Sequence, residues 1–302
     1  MSKTFSGVIP PVVTPYNEAG GLDTAALARH HDRLIAHGVG GIFVLGTTGE
    51  GPALPRRLRE AMLAESIDHA AGRVPVLAGI SAAGLDDSLE LARFAARHGA
   101  DAVVAAPPCY LAPADRELVE FYRILTLEQP LPVFVYNMPG TVKITMSPEL
   151  IAEIAQIPGL AGCKDSAGDF PAFRRTRELV KDRKDFVLLI GPDARLGDAL
   201  DAGAQGGVTS GANFAPALYV GMYRAQQAGD RAAMARFQQG IDLLQKLYTC
   251  RENICCGVVA GLKYALARTG FMRPDLIPPF LTRKSDAELD AVVDKLAAEY
   301  PL

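Results

Sequence analysis

The sequence predicts a closed (β/α)8 TIM barrel followed by a C-terminal helical appendage. Three observations carry this expectation. Short β-rich runs and helical patterns alternate strictly, eight times within about 220 residues. Most of the runs, such as Ile42–Leu45 and Val133–Val135, are continuously apolar, as parallel strands buried on both faces must be. No GxGxxG or P-loop motif occurs anywhere, although a doubly wound sheet would tend to carry one after its first strand.

In chain order the expected strands are Gly7–Thr14, Gly41–Gly46, Pro75–Ser81, Asp101–Ala106, Pro132–Asn137, Leu160–Asp165, Phe186–Gly191 and Gly206–Ser210. The helical patterns that follow them cover 23–37, 55–71, 86–98, 115–128, 147–156, 170–182, 194–202 and 214–228. Asp23, Asp86 and Ser147 stand where N-caps belong, since a short polar side chain there can accept from a free helix amide. Gly38, Gly72, Gly99, Gly203 and Gly229 follow the last turns, where a left-handed residue ends a helix. Three more helical patterns, 230–249, 254–269 and 285–299, have no strands between them. The expected division is therefore a barrel over 1–229 and an appendage over 230–302, with no linker between.

The 302 residues are 49% hydrophobic and 22% charged, with a formal net charge of −3, which excludes disorder and a coiled coil. Without a basic block there is no electrostatic footprint for nucleic acid or an anionic membrane. No signal-like h-region or 18-residue apolar stretch is present. Cys109, Cys163, Cys250, Cys255 and Cys256 are odd in number and lack a CxxC pair, so reduced thiols and a cytoplasmic location are expected.

In such a barrel the chemistry sits where strands end at the C-terminal face. Lys164 is the most informative residue there. It follows Leu160-Ala161-Gly162-Cys163, so its amine projects from a rigid strand into the barrel mouth, where partial desolvation favours the neutral amine that attacks carbonyls. The alternative is a structural pair with Asp165 or Asp193. Tyr136 ends the fifth strand, and if that strand adjoins the sixth, at the usual spacing of about 4.8 Å, its phenol reaches the amine and can move protons. The run Gly46-Thr47-Thr48-Gly49-Glu50-Gly51 offers hydroxyls and converging N–H groups to an anion. Its lack of Arg or Lys favours a carboxylate over a phosphate. The five histidines fall in helical patterns of the first third, and no HExxH or Cys pair has metal-ligand spacing.

GTTGE at 46–50, Tyr136-Asn137-x-Pro139 and Lys164-Asp165-Ser166, in this order, resemble the dihydrodipicolinate synthase / N-acetylneuraminate lyase superfamily over essentially the whole chain. The resemblance implies a (β/α)8 barrel with a helical extension and class I aldolase, lyase or dehydratase chemistry on pyruvate and related 2-oxo acids. It implies a covalent lysine imine with neither metal nor pyridoxal phosphate. Lys164 matches the Schiff-base lysine, Tyr136 the proton-shuttling tyrosine, and Thr47 and Thr48 the loop that binds the 2-oxo acid carboxylate. Tyr110 matches a tyrosine that crosses a tight dimer interface, and a homo-oligomer built as a dimer of dimers is expected.

One departure separates this chain from the dihydrodipicolinate synthase branch. That branch places an Arg two residues after the motif proline to bind the carboxylate of aspartate semialdehyde; here Pro139 is followed by Gly140 and Thr141. A Thr hydroxyl cannot replace a bidentate guanidinium. Thr141, Asp193 and Ser210 instead suit hydroxyls on a substrate tail, and the expected substrate is a 2-keto-3-deoxy sugar acid. Condensation of pyruvate with aspartate semialdehyde is the alternative. A catalytically silent ligand-sensing barrel and an enzyme of phosphorylated substrates are the remaining classes.

Overall fold

The computed structural model describes residues 4–248 and 254–302. Eight parallel strands, β1 (Gly7–Val8), β2 (Ile42–Val44), β3 (Val76–Gly79), β4 (Ala102–Ala105), β5 (Val133–Asn137), β6 (Leu160–Asp165), β7 (Val187–Ile190) and β8 (Gly206–Gly207), pair in the order β1-β8-β7-β6-β5-β4-β3-β2. The two ends of that order meet at a parallel bridge between Pro11 and Phe43, where Phe43 N–H donates to Pro10 O and Val12 N–H to Phe43 O. The chain is thus a (β/α)8 barrel.

β1 is shorter than the expected run to Thr14 because Pro10 and Pro11 have no amide hydrogen to give to a ladder. β8 also ends early, since Ser210–Asn213 turn into a 3-10 helix. At this junction β1 and β8 approach so closely that a Cβ on Gly206 would lie 2.0 Å from Gly7 O.

The helices in order are α1 (Thr24–Ala36), α2 (Arg56–Ala70), α3 (Leu85–His98), α4 (Asp115–Leu127), α5 (Pro139–Val142), α6 (Pro148–Ile154), α7 (Phe170–Leu179), α8 (Leu196–Asp201) and α9 (Pro216–Gln227). After them come α10 (Arg231–Gln245), α11 (Ile254–Arg268) and α12 (Ala287–Glu299). The single turn α5 was not expected; Pro139 starts it at a position that needs no N–H. Asp23 and Ser147 accept from Ala26 N at 2.9 Å and Leu150 N at 3.1 Å. Asp86 is not a cap: Gly84 takes that place, and Asp86 lies in the first turn, where its charge still complements the helix dipole. All five terminating glycines have φ between +69° and +92°.

Strand residues alternate between two cores. Ile9, Phe43, Leu77, Val104, Phe134, Tyr136 and Leu189 fill the barrel interior, whereas Val103, Val133, Val135 and Leu188 pack outward against the helices. Lys164 is in register with Tyr136 and Leu189, which puts it on the interior face. α10 packs along α9, and α12 covers α10, so the C-terminal helices continue the outer layer. Among the described residues no helix is long and apolar enough to cross a membrane. Cys109 is exposed and Cys163 buried, neither in a disulfide; Cys250 and the side chain of Cys255 lie outside the described residues, as does Thr249 at the end of the pattern expected over 230–249.

Candidate active site

Lys164 is 4% exposed and lines a cavity of about 350 Å³ at the C-terminal end of the strands. Its Nζ lies 4.1 Å from the centre of the Tyr136 ring and 4.8 Å from that of Phe43. Ring faces attract an ammonium but do not tie it down as a carboxylate would. Among the described residues neither Asp165 nor Asp193 pairs with it. Asp165 accepts from Ala167 N at 2.8 Å, and burial raises its pKa above the usual carboxylate value. The amine is therefore held in a pocket of aromatic rings and hydroxyls.

Tyr136 hydroxyl lies 3.2 Å from Thr47 Oγ1. Thr47 and Thr48 both face the cavity from the loop after β2. The glycines of that loop serve close approach, since a Cβ on Gly49 would lie 2.7 Å from Val12 O and one on Gly51 would lie 2.0 Å from Leu45 O. The left-handed positions fall instead on Leu45 and Glu50, with φ of 63° and 58°. Two loop amides are turned inward: Glu50 N–H donates to Thr47 O and Gly51 N–H to Gly46 O. The side chains that the loop turns to the cavity are those of Thr47 and Thr48.

Thr48 Oγ1 lies 2.9 Å from Ser210 Oγ, which brings the expected Ser210 into the same cavity. Asp193 also borders the cavity, and its oxygens accept four bonds from the protein. Oδ1 accepts from Ser210 N at 2.7 Å. Oδ2 accepts from Gly211 N at 2.7 Å, Tyr248 hydroxyl at 2.6 Å and Tyr219 hydroxyl at 3.1 Å. Burial still pushes its pKa above the usual carboxylate value. Asp193 thus ties the loop after β8 to two tyrosines while bordering the cavity, and Oδ1 takes one of these bonds against three at Oδ2.

Thr141 lies farther out than Ser210 and Asp193. It is exposed on α5, and its hydroxyl donates to Met138 O at 3.2 Å. It lines a second hollow, about 340 Å³, that meets the first at Thr47 and includes Glu50, Gly140, Lys143 and Phe280. The α5 turn carries Thr141 around the corner from Lys164. Tyr110 is 98% exposed on the loop after β4 with φ of 80°, and it does not line the Lys164 cavity of its own chain. A larger surface hollow, about 570 Å³, lies against α7 among Phe170, Arg174 and Arg177 and includes no strand-end residue.

Sequence reasoning missed the residues that the C-terminal segment brings to the site. Gln245, at the end of α10, lines the Lys164 cavity together with Tyr248 and Val258. It also missed the tether behind Thr47 and Thr48. Lys263 Nζ donates to Glu50 Oε1 at 2.5 Å and to Asp275 O at 2.7 Å, both side chains being buried, while Ile277 N–H donates to Glu50 Oε2 at 2.8 Å. Lys263 lies more than 200 positions from Glu50, and the only local sign of the pair is a lysine within an apolar helix.

The profile described as the Dihydrodipicolinate synthetase family matches residues 4–299. The chain is 34% identical to the "Probable 2-dehydro-3-deoxy-D-pentonate aldolase YjhH" of Escherichia coli K12 over 95% of each protein. It is 32% identical to a 4-hydroxy-tetrahydrodipicolinate synthase of Hyphomonas neptunium, over 97% of this chain and 98% of that one. Among solved structures, a dihydrodipicolinate synthase from Bacteroides thetaiotaomicron superposes with a TM-score of 0.91 at 39% identity, covering 99% of this chain and 100% of that one. The YagE protein of Escherichia coli K12, solved with pyruvate, gives 0.89 at 27% identity over 97% and 98%.

Proposed function

This chain belongs to the dihydrodipicolinate synthetase family, which makes it a class I Schiff-base lyase, and from that premise we propose that it cleaves or dehydrates a 2-keto-3-deoxy sugar acid through an imine on Lys164. The observation that carries the substrate reading is the makeup of the cavity. Among the described residues that line it Lys164 is the one cation and none is an arginine, and Thr47, Thr48, Ser166 and Ser210 give it a hydroxyl-rich lining. A substrate with a hydroxylated, uncharged tail fits such walls. A second carboxylate would be desolvated there without a counter-charge.

In this reading the 2-oxo acid carboxylate rests against Thr47 and Thr48, and the Lys164 amine attacks C2. Loss of water from the carbinolamine gives the imine, with Tyr136 carrying the proton to the departing hydroxyl. In the aldol direction a base takes the C4 hydroxyl proton, the C3–C4 bond breaks, and its electrons pass into the imine to form an enamine. Protonation at C3 and hydrolysis release pyruvate and an aldehyde. In the dehydrating direction the same imine acidifies C3–H, and a hydroxyl leaves. Thr47 holds the Tyr136 hydroxyl in position throughout, and Tyr110 would complete the relay from a second copy of the chain.

Condensation of pyruvate with aspartate semialdehyde is the second reading. It is favoured by the several 32–34% relatives named 4-hydroxy-tetrahydrodipicolinate synthase and by a cation, Lys143, two residues after Thr141. Lys143 lines the second hollow, and its Nζ donates to Gly140 O at 2.9 Å. Borohydride trapping with pyruvate and a panel of 2-keto-3-deoxy acids, read by peptide mass at Lys164, tests the imine. Comparing kcat/KM on those acids with that on pyruvate plus aspartate semialdehyde tests the substrate. Faster turnover of the semialdehyde by an order of magnitude or more would reverse the order of the two readings.

A further inference from the structure

Among the described residues of the Lys164 cavity, one buried side-chain donor has no hydrogen-bond partner. Gln245 lines the cavity from the last turn of α10, and its Nε2 is buried without a hydrogen-bond partner. Buried donors in folded proteins are nearly always paired, so an orphan donor on a side chain that lines a cavity marks a place where a ligand atom belongs once the carboxamide turns toward it. Polar neighbours at the same wall are committed. Tyr248 hydroxyl and the Ser210 amide are bound to Asp193, and Ser210 hydroxyl is bound to Thr48.

We infer that Gln245 is a specificity-determining residue whose carboxamide N–H donates to a hydroxyl oxygen on the tail of a 2-keto-3-deoxy sugar acid; this rests on the Lys164 reading of the site. The group is a donor, so its partner must be an acceptor. A hydroxyl oxygen and a carboxylate both qualify. The surroundings choose between them: Ala194, Pro192 and Val258 line the same cavity, Lys164 is the one cation among its described lining residues, and Asp193 contributes a carboxylate to the lining. A hydroxyl can accept from Gln245 without bringing a second negative charge into that wall. The residue also comes from outside the strands, so it can select a tail without altering the position of the amine.

The test compares binding of 2-keto-3-deoxygluconate, pyruvate and 2-oxoglutarate by calorimetry to the parent protein and to Gln245→Met and Gln245→Leu. The parent is expected to prefer the sugar acid over pyruvate, and either variant to lower that preference at least tenfold. 2-Oxoglutarate, whose tail ends in a carboxylate, should show no such preference in any of the three proteins. The inference is overturned if the parent shows no preference for the sugar acid, if the preference changes less than twofold in both variants, or if the variants lower binding of 2-oxoglutarate instead. Taking the preference as a ratio removes a general loss of folding or of carboxylate binding. The imine is judged separately by trapping at Lys164. Failure to trap with a retained Gln245 effect would sink the Lys164 reading alone.

Discussion

Tyr136 and Lys164 stand opposite each other in the β5–β6 ladder, with the lysine Nζ 4.1 Å from the centre of the phenol ring. The pairing fixes both groups on rigid strands, and a slip of one residue in either strand would turn one of them out of the barrel. Lys164→Ala should abolish borohydride trapping with pyruvate. Tyr136→Phe should still trap, while kcat falls by about 10²–10⁴ and KM moves by less than tenfold, as for loss of a general acid–base. A Tyr136→Phe enzyme that raised KM alone would mark the phenol as a binding group only.

The four donors on the Asp193 carboxylate make it a knot between the loop after β8, α9 and the segment after α10. Asp193→Asn replaces one acceptor oxygen with an amide donor that faces other donors. A loss of about 1–3 kcal/mol in unfolding free energy is expected by urea titration. The affinities for pyruvate and for a sugar acid should weaken together, because Ser210 and Thr48 shift with the knot. Selective loss of the sugar acid with stability intact would mark Asp193 as a direct substrate ligand.

Glu50 and Lys263 are both buried, and each is the other's counter-charge. Lys263→Met leaves the carboxylate buried alone and should cost about 3–5 kcal/mol of stability. Adding Glu50→Gln to it should recover part of that loss, so a double-mutant cycle gives a coupling energy well above that of an exposed pair. Two additive single effects would show that the charges do not depend on each other.

His31 Nδ1 lies 2.7 Å from Leu27 O, and burial pushes its pKa from 6.5 down to about 4. His69, whose ring centre is 6.3 Å away, and Arg73 act in the same direction, whereas Asp32 and the Leu27 carbonyl oppose it. The unfolded chain therefore takes up a proton near pH 6.5 that the native state refuses until about pH 4. The contribution is complete above pH 6.5 and is lost as pH falls toward 4, by about 3 kcal/mol across that window. His30 is lowered by burial in the same sense. Unfolding free energies measured between pH 7 and 4.5 should fall less steeply for His31→Phe than for the parent. An unchanged slope would assign the acid sensitivity to other groups.

The barrel and the strand-end positions of Lys164, Tyr136, Thr47 and Thr48 can be read along the chain because each depends on local signals: an apolar run, a glycine with φ above zero, a polar residue where the run stops. The α5 turn could not be read that way, since four residues hold too little periodicity, yet it is the turn that carries Thr141 in the second hollow. Nor could the occupancy of Asp193, because its tyrosine donors lie 26 and 55 positions onward. Gln245 and the Glu50–Lys263 pair are invisible for the same reason. They join parts of the chain whose proximity only the folded outer layer creates.

The strands carry Lys164 and Tyr136, whereas Gln245, Tyr248 and Val258 reach the cavity from the C-terminal segment. On the proposed reading, the groups that make and break the imine and the wall that meets the far end of the ligand are thus supplied by different stretches of chain. For a protein engineer this is a handle. A library confined to Gln245, Val258 and their immediate neighbours leaves every β-ladder intact. It samples new tails while the amine and phenol keep their spacing, so selection on aldehyde acceptors can proceed without rebuilding the reacting centre.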